Sequence, residues 1–178
     1  MRILAISGSL RANSTNTALV RATAVLAPPN MEIIIYDGLA DLPHFSPDLD
    51  GDHSPPSVKD LRGQLQAADG VLICTPEYAY GMPGALKNAL DWTVSTGEFY
   101  DKPIATISAS PSSTGGEKAH ASLLLTLTAL AAEIVEGGTL IIPFVRTKLN
   151  AAGDVSDPET ALALRSVLDA LARVVLQE

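Results

Sequence analysis

The sequence predicts an α/β domain built on a parallel sheet, and three observations carry that reading. Five short aliphatic runs are nearly continuous in Ile, Val, Leu or Ala, the character of strands covered on both faces. Segments of helical spacing lie between them, so strand and helix alternate as right-handed crossovers require. The chain has 178 residues, 47% of them hydrophobic but only 4% aromatic, which suits one domain with an aliphatic core. No internal repeat, low-complexity tract or linker interrupts it, so a single domain over 1–178 is expected.

The first strand is Arg2–Ser7, and Ala18, Leu19, Ala22, Val25 and Leu26 then form one helical stripe. The second strand, Glu32–Tyr36, leads into an acidic segment holding Asp37, Asp41, Asp48, Asp50 and Asp52 without a Lys or Arg. With Pro43, Pro47, Pro55 and Pro56 nearby, this reads as a solvated surface loop. A loop of such length can alternatively form a lid or a partner contact.

Val58, Leu61, Leu65 and Ala68 mark a second helix, which Gly70 is expected to close, before the strand Val71–Thr75. Leu86 and Leu90 share a helical face after Pro83, a residue tolerated in a first turn. The fourth strand is Pro103–Ser108; Leu123, Leu127, Leu130 and Ile134 predict the next helix, and Thr139–Pro143 the fifth strand. Asp157-Pro158 supplies a capping aspartate and an N1 proline for a last helix carrying Leu164, Val167, Leu168, Leu171 and Val175.

Composition excludes several function classes. A formal charge of -8 argues against a nucleic-acid binder. No apolar run approaches the roughly 18 residues of a membrane span. Met1–Ile6 lacks the apolar length of a signal peptide. The one cysteine, Cys74, permits no intrachain disulfide and fits a reducing cytoplasm; inside a predicted strand it reads as a buried, inert thiol. His44, His53 and His120 have no metal-ligand spacing, and His120 reads as a capping or solvent-exposed residue. No G-x-S-x-G elbow is present.

Ligands of such sheets bind beyond the carboxyl ends of the strands, where strand order reverses. The loop at 7–17 reads Ser-Gly-Ser-Leu-Arg-Ala-Asn-Ser-Thr-Asn-Thr and runs into a helix. A helix N-terminus offers unpaired N–H groups to a phosphate, and Ser9, Ser14, Asn16, Thr17 and Arg11 can add hydrogen bonds and charge. Capping explains one of these residues but not the cluster. Neither G-x-x-x-x-G-K-[ST] nor G-x-G-x-x-G occurs, so a terminal monophosphate suits the loop better than a pyrophosphate. The loop at 75–92 places Tyr78 and Tyr80 beside Glu77 and Gly81, offering planar surfaces with polar tips or simply packing. The loop at 108–118 brings Ser110, Ser112 and Gly115 into a small-residue turn that either approaches a flat ring or is a flexible surface loop.

Gly-Ser-Leu-Arg-x-x-Ser-x-Asn at 8–16, Pro-Glu-Tyr-x-Tyr at 76–80 and Leu-Lys-Asn-Ala-x-Asp-Trp at 86–92 resemble the NADPH-dependent FMN reductase family, which includes quinone, chromate and azo reductases. The resemblance implies a flavodoxin-like three-layer sandwich with a five-stranded parallel sheet in the order 2-1-3-4-5. It implies FMN held at its phosphate by Ser9, Arg11, Ser14, Asn16 and Thr17. Pro76, Glu77, Tyr78, Ala79, Tyr80 and Gly81 would run along the ribityl chain and ring, with Ser110, Ser112 and Gly115 near the pyrimidine edge. The family often has Asn where this chain has Ala79, and a glycine near Ser112. Hydride would pass from NADPH or NADH to the flavin and on to a small-molecule acceptor, in ping-pong order and without a catalytic side chain. A homodimer or homotetramer is implied, with the 37–57 loop and the helix after Pro83 as contacts. A flavodoxin-type carrier without NAD(P)H turnover, and a binder of another phosphate ligand, are the alternatives. The grouping of Tyr78, Tyr80, Trp92, Phe99 and Tyr100 suggests aromatics gathered beside the flavin.

Overall fold

A computed structural model describes residues 1–177, so Glu178 and the side chain of Asp52 lie outside the described part. The strands are β1 (Arg2–Ser7), β2 (Glu32–Tyr36), β3 (Gly70–Thr75), β4 (Pro103–Ala109) and β5 (Glu133–Ile142). The helices are α1 (Thr15–Leu26), α2 (Pro56–Gln66), α3 (Gly84–Asp91), α4 (Glu117–Ala129) and α5 (Pro158–Val175). All pairings are parallel and the order is β2-β1-β3-β4-β5, as expected.

Strand side chains alternate between two helical layers. Ile3, Ala5, Leu72, Cys74, Ala105 and Ile107 meet α1 and α5 through Leu19, Val20, Leu164, Leu168 and Leu171. Leu4, Ile6, Val71, Ile73 and Ile104 meet α2, α3 and α4 through Leu61, Leu65, Leu86, Leu90 and Leu123. With both faces covered, continuous aliphatic strands are what the sheet needs. Its C-terminal edge therefore collects the loops after β1, β3, β4 and β5 on one side of the molecule.

Several expectations are corrected. Gly70 does not close α2; it opens β3, where a Cβ would lie 3.1 Å from both Ile3 Cδ1 and the Pro103 carbonyl. Pro83 is the N-cap of α3 rather than part of its first turn. Val25 points away from the core and is 85% exposed. Ile134 belongs to β5, because α4 stops at Ala129 and Ala131 turns left-handed at φ 54°. The fifth strand thus begins six residues before Thr139, with a bulge that lets Ile134 pair with Ile104 and Thr139 with Thr106. His120 is buried, its Nε2 within 2.8 Å of Thr106 Oγ1, and burial lowers its pKa below 6.5.

The acidic segment is built rather than merely solvated. Short 3-10 turns at Gly38–Asp41, Pro47–Leu49 and Gly51–His53 shape it, and Leu39 and Leu42 are buried. The Pro43 carbonyl accepts from Trp92 Nε1 (2.8 Å) and Asn88 Nδ2 (2.9 Å), while Phe45 stands edge-on to Trp92. Buried Arg62 donates to Asp50 (2.7 Å), Ser54 and the Trp92 carbonyl, locking the segment to α2 and the end of α3. Trp92 and Phe99 are core residues beneath this strap, so among the clustered aromatics only Tyr78, Tyr80 and Tyr100 reach the surface.

Candidate functional site

The loops after β1, β3, β4 and β5 meet around a cavity of about 120 Å³. Ser9, Arg11, Ser14, Asn16, Pro76, Glu77, Tyr78 and Ser110 of the sequence-predicted set all line it. Thr17, Ala79, Tyr80, Gly81, Ser112 and Gly115 do not.

The β1–α1 loop ends at Ser14, whose Oγ accepts from Thr17 N at 3.3 Å and caps α1. The first-turn amides of α1 at Thr15 and Asn16 have no intrahelical partner, so they are offered to the cavity. No acidic residue lies in that first turn to compete. The Asn16 carboxamide is already committed: Nδ2 donates to the Ala109 carbonyl (3.2 Å) and Oδ1 accepts from the Cys74 thiol (3.2 Å). It pins the start of α1 to the ends of β3 and β4, leaving its backbone amide for a ligand. Thr17 likewise supports from behind, its hydroxyl 2.8 Å from Ser7 Oγ. Burial pushes the Cys74 thiol pKa up, in keeping with an inert structural role.

The β3–α3 loop is a hairpin turn. Tyr78 N donates to the Gly81 carbonyl (2.9 Å), and Gly81 N donates back to the Tyr78 carbonyl (3.0 Å). Ala79 and Tyr80 between them have φ of 50° and 61°, the left-handed pair of a type I′ turn. Neither is Gly or Asn, so the turn holds backbone strain. It throws Tyr80 into solvent, 79% exposed, and leaves Tyr78 half-exposed against the cavity. Glu77 anchors the turn: its Oε2 accepts from the amides of Lys118 (2.9 Å) and Ala119 (3.0 Å), capping α4 from another loop. Gly116, the N-cap of α4, has no side chain for that task.

In the β4–α4 loop, Ser110, Ser112 and Thr114 form a chain of hydroxyls at 3.0 and 2.9 Å. Gly115 serves the packing of this loop. At φ 63° a Cβ there would lie 2.5 Å from Ile141 Cγ2 and 2.9 Å from Pro143 N.

Asn13, Thr15, Pro111 and Arg146 line the cavity too, and sequence reasoning did not single them out as ligands. Arg146 matters most. It comes from the loop after β5, opened by Phe144 at φ 50° and held by Val145 N donating to the Ser110 carbonyl (3.1 Å). The strand-end rule that directed attention to three loops applied equally to this one. Arg11 and Arg146 make no ion pair or side-chain hydrogen bond among the described residues, and the cavity's one carboxylate, Glu77, faces α4. Two guanidiniums, hydroxyls and first-turn amides line this cavity in a chain whose net charge is -8. This arrangement accepts an anion, and a phosphate monoester matches it in charge and donor set. Beyond these donors the cavity is walled by the Pro76–Tyr78 and Ala109–Pro111 segments.

Residues 1–147 match the model of the NADPH-dependent FMN reductase family. The chain is 35% identical to an NAD(P)H-dependent FMN reductase of Pseudomonas aeruginosa, over 96% of this chain and 93% of that one. It is 30% identical to a quinone reductase of Escherichia coli, over 98% and 95%. The solved structure of FerB, a flavoenzyme NAD(P)H:(acceptor) oxidoreductase of Paracoccus denitrificans, superposes with a TM-score of 0.89 at 31% identity, covering 99% of this chain and 97% of that one. By its matched length, its fold and the anion cavity at its strand ends, the chain belongs to the NADPH-dependent FMN reductase family.

Proposed function

We propose that this protein is an FMN-dependent NAD(P)H oxidoreductase that delivers electrons to quinone-type small molecules. The observation that carries the reading is the cavity where Arg11 and Arg146, with no ion pair among the described residues, line the wall beside the start of α1. The donor set fits the FMN phosphate: Arg11 and Arg146 supply charge, Ser9 and Ser14 hydroxyls, and Thr15 and Asn16 backbone amides. Pro76, Glu77 and Tyr78 lie where the sugar chain and ring would run, continued by Ala79, Tyr80 and Gly81; Ser110 and its hydroxyl chain through Ser112 lie on the opposite side. Thr17 and Gly115 hold the flanking loops in position.

Bound there, FMN would supply the hydride-accepting and electron-donating chemistry between nicotinamide and acceptor. The chain's own task is to bind and orient. Glu77 holds the ring-facing turn against α4, so the turn does not reorganise as nicotinamide and acceptor exchange. Backbone amides of the surrounding loops would stabilise negative charge on the reduced flavin. A stacking position over the exposed ring face would serve nicotinamide and acceptor in turn, giving ping-pong kinetics.

The whole chain acts as one unit in a cytoplasmic homodimer or higher homo-oligomer. What supports self-association is the α3–α4 groove, where Tyr80, Val94 and Leu125 are exposed beside the Lys87–Asp91 ion pair. The purified protein is expected to take up FMN and to oxidise NADPH or NADH with a benzoquinone present. FMN uptake without nicotinamide turnover would identify a flavodoxin-type carrier instead, and no FMN uptake would refute the reading.

A further inference from the structure

The anion cavity is open along α1. It shares Asn13, Ser14, Thr15 and Arg146 with a cleft of about 300 Å³ between α1 and the 149–153 loop. That cleft in turn shares Ala18, Arg21, Ala152 and Gly153 with a hollow of about 250 Å³. The hollow is walled by Ala22, Val25, Leu26 and Val155. The three spaces adjoin along α1: the anion cavity first, then Arg146 and Arg21, then a mainly apolar end that also carries Asp154. From Ser14 to Val25 they follow about 16 Å of helix at 1.5 Å per residue.

The outer wall is preformed. Asn150 Oδ1 accepts from the amides of Ala152 and Asp154 at 2.9 Å each, and Asn150 N donates to the Asp154 carbonyl at 2.9 Å. Leu149 and Val155 pair across the base of this loop, and Lys148 bridges to Asp157 at 3.2 Å. The inner wall carries Arg21, which makes no ion pair or side-chain hydrogen bond among the described residues. Val25, on the same helix, is 85% exposed although it belongs to the apolar end. Between the two, the Asp154 carboxylate accepts from Asn150 Nδ2 at 3.1 Å and keeps an oxygen for a sugar hydroxyl or an exocyclic amine.

A phosphate, then a polar sugar, then an apolar aromatic ring is the order of groups that this row of spaces matches. We propose that it is an adenylate subsite: a second phosphate sits between Arg146 and Arg21, and the adenine lies against Val25 and Leu26. The proposal rests on the flavin-phosphate reading of the adjoining cavity. The adenylate can come from a flavin dinucleotide, joined directly to the flavin phosphate, or from the nicotinamide dinucleotide.

The test compares the wild type with Arg21→Ala and Ala152→Trp, the first removing a surface charge and the second filling the cleft from an exposed loop position. Flavin fluorescence titrations give FMN and FAD affinities, and steady-state kinetics of the FMN-loaded enzyme give the KM for NADPH. If the flavin dinucleotide is the source, Ala152→Trp weakens FAD at least tenfold and Arg21→Ala several-fold, while FMN affinity stays unchanged in both. If the nicotinamide nucleotide is the source, FAD affinity is unmoved and the NADPH KM rises by those factors. The subsite is overturned if neither quantity moves in Arg21→Ala, a variant that keeps the test decisive should Ala152→Trp misfold. Failure of the wild type to bind FMN refutes the proposed function instead. In that case calorimetric titration of the unloaded protein with adenosine 5′-monophosphate still decides the subsite: binding lost in Arg21→Ala upholds it, and no binding overturns it.

Discussion

Removing the Glu77 carboxylate tests whether the ring-facing turn is held by a helix rather than by its own strained backbone. In the structure Oε2 meets two amides of the first turn of α4, at 2.9 and 3.0 Å, and no other side chain among the described residues caps that turn. Glu77→Ala returns those amides to water. Loss of a cap costs about 0.5–2 kcal/mol, and loss of a carboxylate at a helix N-terminus about 0.3–1 kcal/mol more. The partly exposed position argues for the middle of the summed range, about 2 kcal/mol. For a chain of this size that lowers Tm by about 4–8 °C. Glu77→Gln keeps an acceptor oxygen without the charge, and since ionised hydrogen bonds are roughly twice as strong as neutral ones it should lose about half as much. Circular dichroism melts of the flavin-free proteins read the stability, and flavin titration reads the site. Both variants should bind FMN more weakly in the same rank order, because the same anchor positions the turn. An alanine variant melting with the wild type, or a glutamine variant as damaged as alanine, would refute the capping argument.

Removing either cavity arginine has a calculable effect, since a hydrogen bond to a charged group contributes about 1.5–3 kcal/mol. Arg11→Ala and Arg146→Ala should each raise the FMN Kd by roughly tenfold to a hundredfold in fluorescence titration; an unchanged Kd in Arg146→Ala would remove that residue from the phosphate set. Ala79→Asn places a residue tolerant of the left-handed region at φ 50° and should raise Tm by about 2–4 °C, corresponding to about 1 kcal/mol. A lower Tm would mean that the alanine is not the strained position. His120 is held neutral by burial, so the unfolded chain binds its proton first as pH drops, and stability present above pH 6.5 declines below it. Urea unfolding at pH 7.5 and 5 should show that decline in the wild type and a smaller one in His120→Gln; equal declines would assign it to other groups.

Runs dominated by aliphatic residues reveal strands covered on both faces, and β1, β3 and β4 are legible for that reason, their few buried polar side chains such as Thr106 and Ser108 being hydrogen-bonded. The fifth strand is an edge. Glu133, Glu136 and the Gly137-Gly138 pair break its apolar run, so only its second half reads as strand. Ile134 follows Leu130 at helical spacing, and the stop between them is Ala131 at φ 54°, a residue type that does not announce a left-handed turn. The acidic strap shows the same limit. Its proline and aspartate content reads as solvated, while the groups that fasten it, Asn88, Trp92 and Arg62, lie far along the chain. Arg146 stands beside Phe144, Val145 and Thr147, without the cluster of hydroxyls and carboxamides that marks residues 7–17, so its type alone does not announce a ligand role.

Within the site, residue type and residue role separate. Ser9, Ser14, Arg11 and the start of α1 were recognisable because a cluster of donors at a helix N-terminus has few other uses. Asn16 and Glu77 belong to the same motifs, yet their side chains are satisfied by protein: one joins α1 to β3 and β4, the other joins the turn to α4. Motif membership alone could not distinguish these roles, because both depend on partners brought together by the sheet. The distinction has a physical consequence. A ligand-facing donor loses affinity one hydrogen bond at a time, whereas Asn16 and Glu77 each fix the relative position of two loops, so their loss displaces every donor those loops carry. The cavity's affinity therefore rests as much on lining side chains that bond to protein as on those left for the ligand. Its cationic character rests on the same geometry, since turning the Glu77 carboxylate from α4 towards the cavity would set a negative charge against the two guanidiniums that the anion needs.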